Sequence, residues 1–155
     1  MATTITNATM TVTLTESVSL NGTEQGATNT LSIADIDEVY KRIVSVPTSE
    51  VTLLEFSTAV AQGTFIESDV LYVRITNKDN AYHITLTFKC DGNHEFAVKL
   101  DKGQSFIYNG DLAGGVVDTM DASASALSLA LADLVNVTAI ADTAAVDVEV
   151  FVACK

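Results

Sequence analysis

Apolar and polar residues alternate along most of this chain, most regularly near its middle. In Val70–Thr76, Leu71, Val73 and Ile75 fall on one face. In Tyr82–Cys90, Tyr82, Ile84, Leu86 and Phe88 share a face, opposite His83, Thr85, Thr87 and Lys89. A two-residue period belongs to strands, and a strand with one apolar face needs a second layer to cover it. Between the two runs lies Asn77–Ala81, whose Asn and Asp residues favour turns, so the pattern predicts a hairpin.

The same period recurs on both sides. Upstream, Met10, Val12, Leu14, Val18 and Leu20 alternate with Thr and Ser, and Glu16 interrupts the apolar row, which predicts a bend or bulge. Residues 21–29 carry two glycines and no large apolar side chain and read as a loop. Leu31 and Ile33 suggest a short strand, punctuated by Asp35, Asp37 and Glu38. Val39–Val46 and Glu50–Phe56 flank Pro47, which lacks an N–H and belongs in a turn, so a second hairpin is expected. A helix over 34–44 competes, because Ile36, Val39, Tyr40 and Ile43 also fit helical spacing; the β-branched Ile43, Val44 and Val46 favour the strand. Residues 57–69 read as a loop holding a buried Phe65-Ile66 plug.

Downstream, Asp91-Gly92-Asn93 is a turn, and a strand follows over 94–100 with Phe96, Val98 and Leu100 on one face. A turn at 101–104 and a short strand over 105–108 come next. Residues 122–132 fit either an Ala/Leu helix or a strand with Leu127, Leu129 and Leu131 aligned, and periodicity does not separate the two. Val135–Ile140 and Val146–Val152, around a turn at 142–144, predict a final hairpin. The sum is an all-β protein: an antiparallel β-sandwich, jelly-roll-like, of about eight strands, with room for a short helix within 120–134. Residues 1–9 are expected to form an N-terminal arm and residues 10–155 a single sandwich domain.

Composition narrows the function classes. The chain has 155 residues and a net charge of −12, is 48% hydrophobic, and is only 18% charged, against a soluble average of about 25%. Such a surface suits a protein that meets neighbours over much of its exterior, or a monomer coated in Thr and Ser. Clustered Lys and Arg, which phosphate backbones and anionic membranes require, are missing, so neither nucleic acid nor membrane is an expected partner. No apolar run approaches the length of a bilayer span, and Met1–Thr6 does not read as a signal peptide, which points to a cytoplasmic origin. Cys90 and Cys154 then default to reduced thiols in the core.

Candidate chemistry is sparse. Nucleophilic catalysis needs a Ser or Cys, a base and an orienting acid. His83 and His94 are the two imidazoles, both expected at exposed strand edges. A zinc site from His83, Cys90 and His94 lacks paired-cysteine spacing. Calcium would draw on Asp35, Asp37 and Glu38, or on Asp91 and Asn93, without the twelve-residue loop pattern. Gly110–Gly115 lacks the Lys-Ser/Thr of a phosphate loop. Asn7, Asn21 and Asn136 sit in Asn-x-Thr triplets that a Thr-rich chain produces by chance. No catalytic, cofactor or metal residue is assigned.

Three segments resemble a known group of proteins: Leu71–Asn80, Ile84–Leu86, and Phe96–Phe106 with its Lys-Leu-x-x-Gly-Gln-Ser-Phe turn. Together they are similar to small virion structural proteins of tailed bacteriophages, particularly marine and cyanobacterial ones, over about residues 70–108. The resemblance implies a β-sandwich that decorates or cements a capsid. Its partner would be the major capsid protein lattice, with the chain itself a homo-oligomer, a trimer being favoured. Thr3, Thr4, Ile5 and Asn7 would reach a neighbour from the arm, and the chain would reside in the virion after assembly in the host cytoplasm. It implies no catalytic residue and no cofactor. The alternatives are a neck, tail or fibre component, including a receptor- or glycan-binding module, and a small hydrolase with acids or His converging inside the sandwich.

Overall fold

The computed structural model describes residues 4–91, 95–109, 118–120 and 131–155. The strands are β1 (Ala8–Thr15), β2 (Ser19–Leu20), β3 (Thr23–Glu24), β4 (Thr28–Ile36), β5 (Glu38–Val46), β6 (Val51–Ser57), β7 (Phe65–Ile66), β8 (Val70–Asn77), β9 (Ile84–Cys90), β10 (Glu95–Leu100), β11 (Ser105–Asn109), β12 (Asp118–Met120), β13 (Leu131–Ala141) and β14 (Val146–Cys154). A single 3₁₀ turn, Glu67–Asp69, interrupts them. The chain separates into two compact units, the first over residues 1–38 together with Lys155, the second over 39–154.

The first unit is a two-stranded antiparallel ribbon, β1 on β4. Its register sets Met10, Val12 and Leu14 opposite Ile33, Leu31 and Asn29, while Thr11, Thr13 and Thr15 face Ser32, Thr30 and Thr28. One face is therefore largely aliphatic and the other wholly hydroxylic. The interruption expected at Glu16 is there: β1 stops at Thr15, and the ribbon resumes as β2 and β3. The segment 21–29, expected as a loop, instead contains a tight hairpin turn. Asn21 and Gly22 both adopt positive φ, 52° and 79°, as the turn joining two twisted strands demands. A second irregularity falls between Ala8 and Met10, opposite Asp35, whose φ is 61°.

The second unit is a sandwich. One sheet runs β11-β8-β14-β5; the other runs β10-β9-β13-β6-β7, with β12 on β13. The valines of β14 at 146, 148, 150 and 152, with Val73 and Ile75 of β8, enter one core with Ile84, Leu86 and Phe88 of β9 and Leu54 and Phe56 of β6. Period-two alternation thus builds the inner faces as expected. Phe88 contacts both layers: its ring centre lies 4.7 Å from that of Phe106 in the opposite sheet and 4.7 Å from that of Phe96, stacked beside it in its own sheet. The Phe65-Ile66 plug is partly buried, with Phe65 edge-on to Tyr40 at 5.4 Å, and it also forms β7, parallel to β6. Residues 34–44 are strand on either side of Asp37, not helix. The helix allowed for within 120–134 gives way to strand at Met120 and from Leu131 onward; 121–130 lie outside the described residues.

Three expected hairpins are not hairpins. β5 and β6, β8 and β9, and β13 and β14 lie in opposite sheets, so each connection is an arch across the core. β9 and β10, by contrast, pair antiparallel with each other in one sheet. Tyr82 precedes β9 and is exposed, and Phe96 also keeps much of its surface in water.

The arches, with the β10–β11 turn, are stitched into one rim. Ala141 N donates to Pro47 O at 2.9 Å, Asp142 N to His83 O at 3.3 Å, and Lys78 N to Asp147 O at 2.8 Å. Asn77 sits at its centre, fully buried. Its Nδ2 donates to Tyr82 O at 3.0 Å and to Leu100 O at 3.1 Å, and its Oδ1 accepts from Asp79 N at 2.9 Å. Its backbone N donates to Gln104 O, and its own carbonyl accepts from Gly103 N. Replacing Asn77 by Ala leaves the buried Leu100 carbonyl without its donor and removes the part-buried bonds to Tyr82 O and from Asp79 N, so stability should fall by about 1–3 kcal/mol. Asn77→Asp should fare no better, because a carboxylate cannot donate to either carbonyl; denaturant unfolding checks both.

Candidate interaction surface

Both outer faces of the sandwich carry ordered polar chemistry. On the four-stranded sheet, Arg74 donates to Glu149 Oε1 at 2.6 Å and to Thr76 Oγ1 at 2.5 Å, and Lys41 approaches the other carboxylate oxygen of Glu149 at 3.5 Å. The Arg74 guanidinium lies 5.8 Å from the centre of the Phe151 ring, which meets Tyr72 edge-on at 5.9 Å. Burial pushes the Tyr72 hydroxyl above its ordinary pKa. Exposed Ile43 and Val39, two residues either side of Lys41, and Ile107, opposite Arg74, surround this group with apolar surface. On the other sheet, Glu50 joins Lys89 and accepts from Thr138 Oγ1 at 2.7 Å. These contacts hold the charges of both outer faces in pairs.

His83 is the described imidazole, and its Nδ1 lies 3.7 Å from Asp142 Oδ2. A base oriented by an acid still needs a nucleophile bonded to the ring. Thr143 supplies its hydroxyl to Asp142 instead, at 2.8 Å. His94 and Asn93 lie outside the described residues, so the zinc set and the second calcium set do too. Among the described residues, no group of three or more His, Cys, Asp or Glu is placed to hold a metal ion. Cys90 and Cys154 are buried and form no disulfide.

The ribbon is the more unusual surface. Among the described residues β1 and β4 pair only with each other. Its apolar row opens progressively toward the Asn21-Gly22 turn: Ile33 is 6% exposed, Leu31 38%, Leu14 and Val18 51%, and Leu20 63%. Two-stranded ribbons are marginal in water unless one face is covered. The turn is nevertheless built with care. Glu24 Oε1 accepts from Val18 N at 2.9 Å and from Gly26 N at 2.8 Å, and these bonds hold the Glu24 carboxyl below its ordinary pKa. Gly26 passes so close to Glu16 that a Cβ there would lie 1.9 Å from the Glu16 carbonyl oxygen.

Of the arm residues singled out by sequence, Thr3 lies outside the described residues. Thr4, Ile5 and Asn7 are exposed, in a stretch without regular structure ahead of β1. The residues that sequence reasoning passed over are Leu14, Val18, Leu20 and Leu31. Their alternation was visible; their lack of a covering layer was not.

Two outcomes follow. Gly26→Ala should break the ribbon near its turn, seen as lost hydrogen-exchange protection at Val18 and Gly26 with β8, β9 and β14 unchanged. Acid should loosen the whole chain. Glu24, Glu50, Asp79 and Glu149 all titrate below their ordinary values when folded, through hydrogen bonds from Val18, Lys89, Tyr82 and Arg74 in turn. The unfolded chain therefore takes up protons first. Their contribution is complete above the ordinary carboxylate values of 4.5 and 3.8 and is lost as pH falls through the lower folded ones. Thermal unfolding scanned from neutral to acid should show that decline. Compared with known proteins, the chain matches no family model, no curated protein and no solved structure.

Proposed function

We propose that this chain is a non-enzymatic structural protein of a tailed-bacteriophage virion, one that binds and stabilises the capsid lattice as a decoration or cement protein. The observation that carries the reading is the ribbon: a two-stranded element whose aliphatic face is left increasingly uncovered toward its turn. Such a face is a docking element, and the sandwich supplies the stable body that carries it. Docking by added strands or inserted apolar side chains needs shape and exposed edges rather than titrating groups.

We read the sandwich as a jelly roll. Its strands pair as β5 with β14, β6 with β13, β8 with β11 and β9 with β10. That is a long ribbon of strand pairs wound around itself, and capsid proteins use this architecture, as do lectins and cupins. Copies are proposed to associate as trimers through the outer face of the four-stranded sheet, where Val39, Ile43 and Ile107 are exposed around the Arg74–Glu149 pair.

The test is direct. Purified protein should bind expanded, empty shells, and particles assembled without it should lose resistance to heat and internal pressure. Copy number separates the alternatives: on the order of hundreds per particle for the shell, about six or twelve for a neck or tail part. Failure to bind shells, with shells equally robust in its absence, rules out cementing. Binding to host cells or glycans by the isolated protein would support the fibre-module alternative.

A further inference from the structure

We propose that the ribbon's aliphatic face seats in an apolar groove of a different protein, and that the rim of this groove carries Lys or Arg. The inference rests on the assembly reading and specifies the chemistry of its partner.

Three observations converge on it. The first is one-sidedness. Leu14, Val18, Leu20 and Leu31 are exposed, while the opposite face of β1 and β4 presents Thr11, Thr13, Thr15, Thr28, Thr30 and Ser32. Water suits the hydroxyl face, so only one side calls for cover. The second is charge. Glu16, Glu24, Asp35, Asp37 and Glu38 are all acidic, and no Lys, Arg or His precedes Lys41. Glu16 interrupts the aliphatic row between Leu14 and Val18, and Glu24 follows Thr23, the partner of Leu20, with its carboxylate held at the turn by Val18 N and Gly26 N. Opposite charge at the rim would steer encounter and fix register.

The third observation is size. Four aliphatic side chains about half exposed make a patch on the order of 300 Å². A standard interface buries ~800 Å² from each partner. Two ribbons pressed face to face would fall well short, and both would be acidic, with no Lys, Arg or His before Lys41 in either copy. A groove does better, because its walls also cover the edges of β1 and β4. Membranes and nucleic acids are disfavoured by the same acidity.

The full-length protein is mixed with expanded, DNA-free shells assembled without it, and the bound fraction is read by co-sedimentation. Wild-type affinity should fall about tenfold or more between about 50 and about 500 mM NaCl, since salt screens rim charges. Leu14→Ser with Leu20→Ser should weaken binding about thirtyfold at either salt, by removing the apolar contact. Glu16→Lys with Thr23→Lys should weaken it about tenfold at low salt and flatten the salt dependence. Thr11→Ala with Thr13→Ala, on the hydroxyl face, should bind as wild type, and the charge variants keep the test open if the leucine variant fails to fold.

Several results would overturn the proposal. Shell binding indifferent to the leucine variant would remove the ribbon as the docking element. Binding indifferent to salt and to the lysine variant would remove the basic rim. Self-association in sedimentation that the leucine variant abolishes would make the occupant a second copy. If wild type fails to bind shells at all, the assembly reading falls and takes this inference with it; if wild type binds and the ribbon variants bind equally, only the inference falls.

Discussion

A single buried amide closes the core of the sandwich. Asn77 ends β8 on the inner face of one sheet and donates both Nδ2 hydrogens to carbonyls belonging to the other, one just before β9 and one at the end of β10. No other common side chain does the same work. A hydroxyl has one hydrogen, a carboxylate has none, and a lysine would bring a charge into a site with no exposure. The third bond, from Asp79 N to Oδ1, turns the chain immediately after the strand, and Asp79 in turn accepts from the N–H groups of Ala81 and Tyr82. The amide therefore joins the two sheets and shapes the arch between them. With Gly103 and Gln104 bonded to its backbone, it also fixes where β11 begins.

This arrangement explains what periodicity could and could not reveal. Alternation identified the inward residues of β8, β9 and β14, because a two-residue period depends only on the pleat. It does not encode which sheet a strand joins. An inward-facing row looks the same whether its neighbour lies beside it or across the core from it. The discriminating signal was in the connections. Two-residue hairpins favour positive φ at both turn positions, and Asn21-Gly22, which has it, does form a hairpin. The connections 47–50, 78–83 and 142–145 are longer and contain no glycine, and all three are arches. Pro47 was correctly placed in a turn, but its carbonyl serves the next arch, accepting from Ala141 N. Tyr82 shows the same limit: its parity fits the inward row, yet it lies in the arch, where its carbonyl rather than its ring faces the core amide.

The segments that carry the family resemblance coincide with this fastening. Asn77 and Asp79 form one turn signature; Leu100, Gly103 and Gln104 form the other, and the two are bonded to one another through Asn77. Gly103 holds a φ of 74°, which a side chain there would resist, and Gln104 Oε1 accepts from Asp101 N at 2.9 Å. A signature made of such residues reports how a sandwich closes and says little about what it binds. The surface proposed for binding lies elsewhere. The Thr-rich alternation of 9–20 was legible as strand, but exposure is a property of what does or does not pack on a strand, and no local pattern contains it.

The two units consequently divide the physical work. In the sandwich, interior valines and aromatics pack around one buried, hydrogen-bonded amide. The ribbon is built to the opposite specification. Its β-branched threonines restrict the side-chain rotamers and give one face hydroxyls without charge, while the other face stays aliphatic. Glu24 and Gly26 pin its turn, so ordering the segment from Thr15 to Thr28 does not wait for a partner. Preorganisation of this kind lowers the entropy cost of docking, because a segment already ordered has less freedom to lose. A disordered tail with the same leucines would reach as far but would spend much of its apolar contact on becoming ordered. On the proposed docking, the hydrogen bonds at the turn would bear on affinity as well as on stability, because they would hold Val18 and Leu20 in place before a partner covers them.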